Sequence, residues 1–405
     1  MPGRRARVVG PEAILRQLRT WWPGSGVLTR WEVWPFPSGL TIEFERRADG
    51  ALQRQRQFLQ VRDARITRHQ AYCARAQRAD PEELPDDAPV AAVRRLGEIV
   101  RREPLTHTGQ SGNSLERIVL ADGRRLVVKR LSGEDWIARA THDGGREAAL
   151  WTDGLLARMP REIDHAVLGA GRERTGTWLL MRDVSDELLP PDGRLTREES
   201  RRLLATFAAM HRRFAGERIE GACSLEDRIT ITAPAKVAGQ VDGVYYLPKI
   251  LTVGWEVFAA AVPEDVATAV LGAMENPEPL ARELAHCAPT LIHNDLRGAN
   301  LGLLPDRAIV LDWGMAGTGP CELDFAWYLF VNGWRIDATR EQLVDDFRDL
   351  AADLHDPRAL ELTWLAQLCW HGALLAHELV EASDEKRERA RDELEWWVAR
   401  VREAL

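Results

Sequence analysis

The first part of the chain alternates apolar and polar side chains. This alternation over residues 40–45 predicts a half-buried strand. Two further runs, residues 51–61 and 65–74, flank a predicted turn, and residues 11–22 are predicted to form one helix. Residues 1–78 are therefore predicted to form a small α+β domain with a curled antiparallel sheet.

A different pattern begins after an acidic, proline-rich stretch at residues 79–91, which predicts a linker. Residues 115–129 have the pattern of a β-hairpin with an Asp-Gly turn. Farther on, Thr196 and Glu199 have the spacing of a capping box, and the helix that follows carries its apolar residues on one face. That helix is predicted to open a helical core.

Composition and charge limit the classes of function. The chain is 45% hydrophobic and 29% charged, which is typical of an ordinary globular protein. Its net charge of −8 is uneven, because the first 100 residues carry 17 basic against 12 acidic side chains. The remainder is strongly acidic, which disfavours nucleic acid as a partner.

Cysteine usage and hydropathy predict the compartment. The five cysteines are scattered, show no metal-ligand spacing and are odd in number, so a complete disulfide framework is not expected. No run of apolar residues is long enough to span a membrane, and residues 361–380 are predicted to form a buried helix. We therefore expect a cytoplasmic protein that has no membrane partner.

Residues 291–314 carry the clearest chemical signal. Asp295 stands five residues before Asn300, and Asp312 twelve residues after it, with two short apolar runs and a Pro-Asp turn between them. This arrangement predicts two strands joined by a tight turn, with three oxygen ligands at its base. Phosphoryl transfer from ATP requires such a set: one carboxylate orients the attacking hydroxyl, while an amide oxygen and a second carboxylate hold Mg²⁺.

The signature His-x-Asp-x-x-x-x-Asn followed by Asp-x-Gly resembles that of the aminoglycoside phosphotransferase and choline-kinase-like family. The resemblance implies an α+β, protein-kinase-like fold, with a β-rich small lobe at 92–183 and a helical large lobe at 184–405. It implies ATP and Mg²⁺ as cofactors. It also implies Asp295 as the catalytic base and Asn300 and Asp312 as the metal ligands. His293 would support the catalytic loop.

A kinase also needs a cation for the phosphates. Lys129 ends the second strand of the predicted hairpin and is one of only four lysines among 54 basic residues. A compact ammonium suits a phosphate clamp, whereas an ordinary strand-end lysine is the alternative. Glu147 lies in the first turn of the next predicted helix and is the expected partner of Lys129, although a first-turn acid also favours the helix dipole.

Two further segments are predicted to contact the nucleotide. The small, polar loop that contains Gly109, Ser111 and Gly112 precedes the Lys129 hairpin and can offer backbone N–H groups to phosphates. In the resembling fold, the strand end from Met181 to Asp183 is the hinge, where adenine meets backbone groups. Ordinary turns would have the same composition as either segment.

The acceptor is predicted to be a hydroxyl-bearing small molecule, namely an aminoglycoside or other antibiotic, a sugar or an amino alcohol. Only residues 315–321 separate the Asp-x-Gly motif from the next helix, too few for the activation segment of a protein kinase. Arg297 is a candidate for neutralising charge on the transferred group, and it also fits a surface position. The acceptor site is expected from residues 216–263 and the helices after 337. An acidic rim there would suit a polycationic sugar, and the aromatic residues a ring-bearing acceptor.

Alternatives remain open at this point. A nucleotide-binding pseudokinase with an accessory N-terminal domain is one, and a protein kinase is another. Residues 62–73 resemble the last hairpin of nuclear-transport-factor-2-like (SnoaL-like) domains. The oligomeric state is not predicted, and a dimer through the N-terminal domain is one of the arrangements allowed.

Overall fold

The computed structural model of the protein describes residues 27–36, 39–48, 51–62, 65–75, 87–105, 112–131, 135–173, 176–240 and 245–405. The chain divides into two compact units, Met1–Glu83 and Leu84–Leu405. The helix predicted at residues 11–22 lies outside the described residues.

The first unit contains an antiparallel sheet in which consecutive strands are neighbours. Its strands are β1 (Val27–Phe36), β2 (Gly39–Ala48), β3 (Ala51–Arg62) and β4 (Arg65–Arg75). The alternating run at residues 40–45 lies in β2, and the two later runs form β3 and β4, so these three strand predictions are confirmed.

The second unit begins with a sheet-rich lobe. Its principal sheet is antiparallel in the order β5-β6-β7-β10-β9, and the predicted hairpin is present as β6 and β7. The strands of this unit are β5 (Ile99–Leu105), β6 (Ser114–Leu120), β7 (Arg125–Leu131), β8 (Ile163–Asp164), β9 (Val167–Glu173), β10 (Gly176–Arg182), β11 (Leu195–Thr196), β12 (Thr290–Ile292), β13 (Leu301–Leu303), β14 (Ala308–Val310), β15 (Gly317–Gly319) and β16 (Ile336–Asp337).

Helices form most of the rest. They are α1 (Ala88–Arg94), α2 (Trp136–Ala140), α3 (Arg146–Thr152), α4 (Arg197–Arg213), α5 (Leu225–Thr230), α6 (Pro234–Ala238), α7 (Tyr246–Ala261), α8 (Glu264–Glu275), α9 (Glu278–His286), α10 (Glu322–Asn332), α11 (Arg340–Leu350), α12 (Pro357–Glu381) and α13 (Asp384–Ala404). The predicted capping box opens α4, where Thr196 and Glu199 bond to each other's backbone N–H groups. The predicted β-rich small lobe and helical large lobe are therefore confirmed.

The two faces of the principal sheet pack against different partners. Val128 and Leu180 belong to a small core that includes residues of α1, whereas Val127 and Leu179 belong to the large core shared with the helices. Successive side chains of a strand point to opposite faces. Lys129, two residues after Val127, is therefore directed toward the helical lobe.

Helices α7 and α12 approach each other so closely that side chains must be absent where they meet. A Cβ atom at Gly254 would lie 1.9 Å from the carbonyl oxygen of Ala373, and one at Gly372 would lie 2.7 Å from the ring of Phe258. The predicted buried helix is part of α12, whose residues 359–376 include a long run of buried side chains. Among the described helices, none is long and apolar enough to cross a membrane.

Candidate active site

The loop that follows β12 is fixed by a buried carboxylate on α10. Asp324 accepts hydrogen bonds from the backbone N–H groups of His293 at 2.7 Å and Asn294 at 2.6 Å. Burial raises the pKa of Asp324 to about 6, although the two N–H groups favour its ionised form. Asn294 has a left-handed backbone, with φ of 64°, which turns the chain toward Asp295. The loop therefore presents Asp295 from a fixed backbone, as the family resemblance implies.

His293 links this loop to the segment before Asp312. Its Nδ1 accepts the backbone N–H of Asp295 at 3.1 Å, so the N–H of its Nε2 donates to the carbonyl of Leu311 at 3.0 Å. Burial lowers the pKa of His293 to about 4, which keeps the ring neutral, as this pair of bonds requires. The ring supports the loop, which was the role expected of it.

Asp295 is partly buried, and its two carboxylate oxygens have different partners. Trp327 donates its indole N–H to Oδ1 at 3.2 Å, and Asn300 donates its amide N–H to Oδ2 at 2.9 Å. The Nε of Arg297 lies 3.4 Å from Oδ2. Burial raises the pKa of Asp295, and Arg297 opposes this rise. These contacts hold the carboxylate in one orientation inside the cleft.

The orientation of the Asn300 amide is determined by its neighbours. Its nitrogen donates to the backbone carbonyl of Asp295 as well as to the side chain, both at 2.9 Å. The oxygen end is therefore the end that can face a cation. The N–H of Leu311 donates to the carbonyl of Asn300 at 2.9 Å, which brings Asn300 beside the segment that carries Asp312.

Lys129, Glu147 and Asp312 form one cluster, which we call the Lys129 cluster. The ammonium contacts Glu147 at 2.6 Å and Asp312 at 2.7 Å. Burial would lower the pKa of Lys129, but the two carboxylates raise it above its usual range. Burial would likewise raise the pKa of Asp312, but Lys129 lowers it to about 2. The sequence-predicted partner of Lys129 is therefore its partner in the structure, and Asp312 is a second one.

The backbone around the cluster explains this convergence. Asp143 accepts the N–H of Gly145 at 2.8 Å, and Gly145 starts α3 with a left-handed φ of 100°, which aims Glu147 at the sheet. The buried Arg146 bonds to the carbonyl of Gly314. This bond joins α3 to the loop after Asp312, whose own φ is 66°.

A cavity of about 480 Å³ lies beside these groups. Lys129, Glu147, Asp295, Arg297 and Asp312, all predicted from the sequence, lie on its wall. Asn300 is not on the wall but contacts Asp295 directly.

The remaining predicted residues lie elsewhere. Gly109 and Ser111 are outside the described residues. Gly112 is in close contact with the helical lobe, because a Cβ atom there would lie 2.3 Å from the Tyr245 hydroxyl. Met181 is buried, and the carboxylate of Asp183 accepts hydrogen bonds from Arg117 at 2.6 Å and from the N–H of Ser185 at 3.0 Å. Gly112, Met181 and Asp183 are not on the cavity wall.

Sequence reasoning assigned no role to Trp327, which contacts Asp295, although its position three residues after Asp324 on one helix was an available signal.

Arg228 was noted only as part of the segment expected to contribute to the acceptor site. It is fully buried, donates to the Asn294 side chain at 2.6 Å, and places its guanidinium 4.5 Å from the ring centre of Trp370. Burial lowers the pKa of Arg228 to about 10. No local pattern reveals this pairing, since 66 residues separate Arg228 from Asn294.

Several solved structures are similar to this chain. None of the curated proteins compared with the chain matches its sequence. Among solved structures, a choline kinase from Streptococcus pneumoniae is 12% identical, covers 77% of this chain and 98% of its own, and has a TM-score of 0.45. A spectinomycin phosphotransferase solved with ADP and spectinomycin is 11% identical, with 78% and 98% covered and a TM-score of 0.46. An aminoglycoside 3′-phosphotransferase of type VIII is 18% identical, with 70% and 99% covered and a TM-score of 0.43.

The family comparison covers most of the chain. The model of the phosphotransferase enzyme family matches residues 106–362, which include both the Lys129 hairpin and the Asp295 loop. The chain therefore belongs to the phosphotransferase enzyme family.

Proposed function

We propose that this protein transfers the γ-phosphoryl group of ATP to a hydroxyl group of a small molecule. The observation that carries the proposal is that one cavity is lined by an ammonium held between two carboxylates and by a third carboxylate, Asp295, on a fixed loop. Phosphoryl transfer depends mainly on positioning and on charge stabilisation, and these groups supply both. The proposed acceptor is neither a nucleic acid nor a membrane component, and the cytoplasm is the proposed location.

In this proposal Asp295 is the base. It accepts the proton of the acceptor hydroxyl as the oxygen forms a bond to the γ-phosphorus, and the bond from that phosphorus to the oxygen it shares with the β-phosphate breaks to release ADP. The bonds from Trp327 and Asn300 orient the carboxylate for this step. Arg297, 3.4 Å from Asp295, is positioned to neutralise charge on the group in transit.

Lys129 is the proposed phosphate ligand. A lysine ammonium has three N–H donors, and the two carboxylates of the cluster account for two of them. The third can bond to a phosphate oxygen. Because its pKa is raised, Lys129 stays charged throughout the neutral range. In our proposal the backbone between Met181 and Asp183 receives the adenine, and the segment containing Gly109, Ser111 and Gly112 covers the phosphates.

The donor set fits a magnesium ion. Asn300 can turn only its oxygen outward, and the side chain of Asp312 is 33% exposed, with Oδ1 on Lys129 and Oδ2 remaining as a ligand. Hard oxygen donors of this kind suit Mg²⁺, which usually takes only one or two protein ligands beside the phosphates and water. At this position a bound Mg²⁺ would neutralise phosphate charge during transfer.

The substitution Asp295→Ala tests the proposal. Because it removes the base and leaves the Lys129 cluster intact, we expect ATP consumption to fall by about three orders of magnitude while ATP binding persists. ADP release would be measured against aminoglycosides, peptide antibiotics, nucleosides, choline-like alcohols and amino-acid alcohols.

Asp306→Ala is the matched control, since it removes an exposed carboxylate from the turn of the β13–β14 hairpin, which follows the Asp295 loop. Normal turnover in Asp295→Ala would exclude Asp295 as the base. An equal loss of turnover in Asp306→Ala would show that the loss is not specific to Asp295. Protein that binds ATP but consumes none with any acceptor would favour the pseudokinase alternative.

A further inference from the structure

The wall of the cavity beyond Asp295 is apolar and aromatic. Its side chains come from distant helices and loops of the large lobe, and the main ones are Ile231, Leu251, Trp327, Phe330, Trp370 and Leu374. Because Trp327 bonds to Asp295 and also lines this wall, a molecule packed here lies next to the proposed base.

This part of the cavity is separate from the proposed adenine site. Strand β10 contributes Gly176 and Thr177, at its beginning, to the wall, whereas Met181, near its end, is absent from it. Four residues of a strand span about 13 Å. The apolar wall is therefore left for the acceptor rather than for the nucleotide base.

The carboxylates on the wall already have partners. The acids of the Lys129 cluster hold the ammonium, and Asp295 is bonded as described above. Asp135 caps α2 by accepting the N–H of Ile137 at 2.9 Å, and Asp143 accepts the N–H of Gly145 at 2.8 Å. Burial raises the pKa of Asp135 to about 6, so this carboxyl becomes protonated only below neutral pH. Lys129, Arg172 and Arg297 line the same cavity, which adds positive charge to it. The five carboxylates outnumber these three cations, but each already accepts a hydrogen bond within the protein, so a polycation would have to compete with those donors.

The Trp327 and Trp370 rings give the wall a large apolar area. Trp327 and Trp370 stack with their centroids 4.1 Å apart and their planes within 12°. The Arg228 guanidinium already lies over the Trp370 ring, so the protein itself supplies the cation for a cation–π contact with that ring. Extended apolar contact remains the main interaction that this wall offers to a ligand.

From these observations we infer that the phosphate acceptor is a neutral hydroxyl compound with a flat, apolar ring system, which packs on the Trp327–Trp370 wall and places its hydroxyl at Asp295. This inference rests on the proposed function and narrows its substrate class. It excludes polycationic sugars, one of the acceptor classes that the sequence left open.

The first experiment compares acceptors by charge and apolar area. Methyl, phenyl and 2-naphthyl β-D-glucopyranoside offer the same hydroxyl groups with a growing apolar body, and kanamycin and choline supply the cationic comparison. Binding would be followed by quenching of tryptophan fluorescence in the presence of ADP, and turnover by ADP release from ATP. We expect the naphthyl compound to bind about tenfold more tightly than the methyl compound, because it buries more apolar area.

The outcomes separate the two proposals. Tighter binding across the glucoside series, with ADP release, supports the inference. Tighter binding without any ATP consumption supports only the preference of the wall for a flat apolar ring, and the proposed function then fails. ADP release that responds to kanamycin or choline but not to the neutral compounds overturns the inference and leaves the proposed function standing. Equal or absent binding across the glucosides also overturns it, whereas Asp295-dependent hydrolysis of ATP would still support phosphotransfer.

Two substitutions on α12 locate the effect. Leu374→Asp places a charge on the apolar wall, and we expect it to weaken 2-naphthyl glucoside binding about tenfold or more. Val380→Asp makes the same type of change at an exposed position on the same helix and should leave binding unchanged.

Leu374→Ser guards against loss of folding in the aspartate variant, because it shortens the side chain without adding a charge. Thermal unfolding of all variants would show whether each is folded. A folded Leu374→Asp protein that binds the naphthyl compound normally would contradict the inference.

Discussion

The two ends of the cavity are built in different ways. At the phosphate end, charged groups lie within 3 Å of their partners and come from short segments around Lys129, Glu147 and Asp312. At the acceptor end, apolar side chains come from helices and loops spread between residues 231 and 374. The phosphate end therefore has little room for variation, because each charge needs its partner, whereas the acceptor wall can change one side chain at a time. In our proposals, chemistry and acceptor selectivity are thus carried by different parts of the fold.

The largest effect is expected at the phosphate end. Lys129→Met removes the cation from two carboxylates, one of which, Glu147, is only 1% exposed. We expect turnover to fall by about two to three orders of magnitude. We also expect the free energy of unfolding to fall by about 3 kcal/mol, because a buried carboxylate loses its counter-charge. Denaturant unfolding and ADP release measure the two effects.

A double variant separates stability from chemistry. Lys129→Met combined with Glu147→Leu replaces the buried pair by apolar groups, so most of the lost stability should return while turnover stays low. Recovery of turnover in the double variant would contradict the assignment of Lys129 to the phosphates.

An intermediate effect is expected for Arg228, which contacts the Asp295 loop and the acceptor wall. It holds Asn294 of the catalytic loop and lies over Trp370 of the acceptor wall. Arg228→Met leaves the Asn294 oxygen without this donor, so we expect kcat to fall about ten- to hundredfold and the KM for the acceptor to rise. The KM for ATP should change little. Steady-state kinetics with each substrate varied would show this split, and a change confined to the KM for ATP would contradict it.

The smallest effect is expected for Trp327→Phe, which keeps an apolar ring and removes one hydrogen bond to Asp295. Burial already raises the pKa of Asp295, and the indole N–H lowers it, so loss of the bond raises the pKa further. In our proposal the ionised carboxylate is the active base, and the acidic limb of the kcat/KM profile should therefore move to higher pH. At pH 6 we expect a loss of about three- to tenfold, and at pH 8 a smaller one.

Phe330→Leu is the matched comparison for this variant. Phe330 lines the same wall, and no hydrogen bond joins it to Asp295, so its replacement should raise the KM for the acceptor and leave the acidic limb in place. An unchanged acidic limb in Trp327→Phe would show that the indole does not tune the base.

The phosphate end was largely predictable from the sequence, because its residues follow short-range patterns. The alternation of β7 determines the face of Lys129, the turn before α3 determines the direction of Glu147, and the spacing from Asp295 to Asp312 spans one hairpin. The acceptor wall was not predictable at that level. Trp327 and Trp370 are 43 positions apart in the sequence and meet only because α10 and α12 pack together. Sequence reasoning could name their helices but could not bring their rings into contact.

The close crossing of α7 and α12 also determines the shape of the cavity wall. Leu251 is three residues before Gly254 on α7, and Leu374 is one residue after Ala373 on α12. The distance between these two apolar side chains is therefore determined by the contact between the two backbones. A single methyl group at position 254 would overlap the carbonyl oxygen of Ala373. It would push the two backbones apart, and the spacing between Leu251 and Leu374 on the cavity wall would change although Gly254 itself is not on that wall.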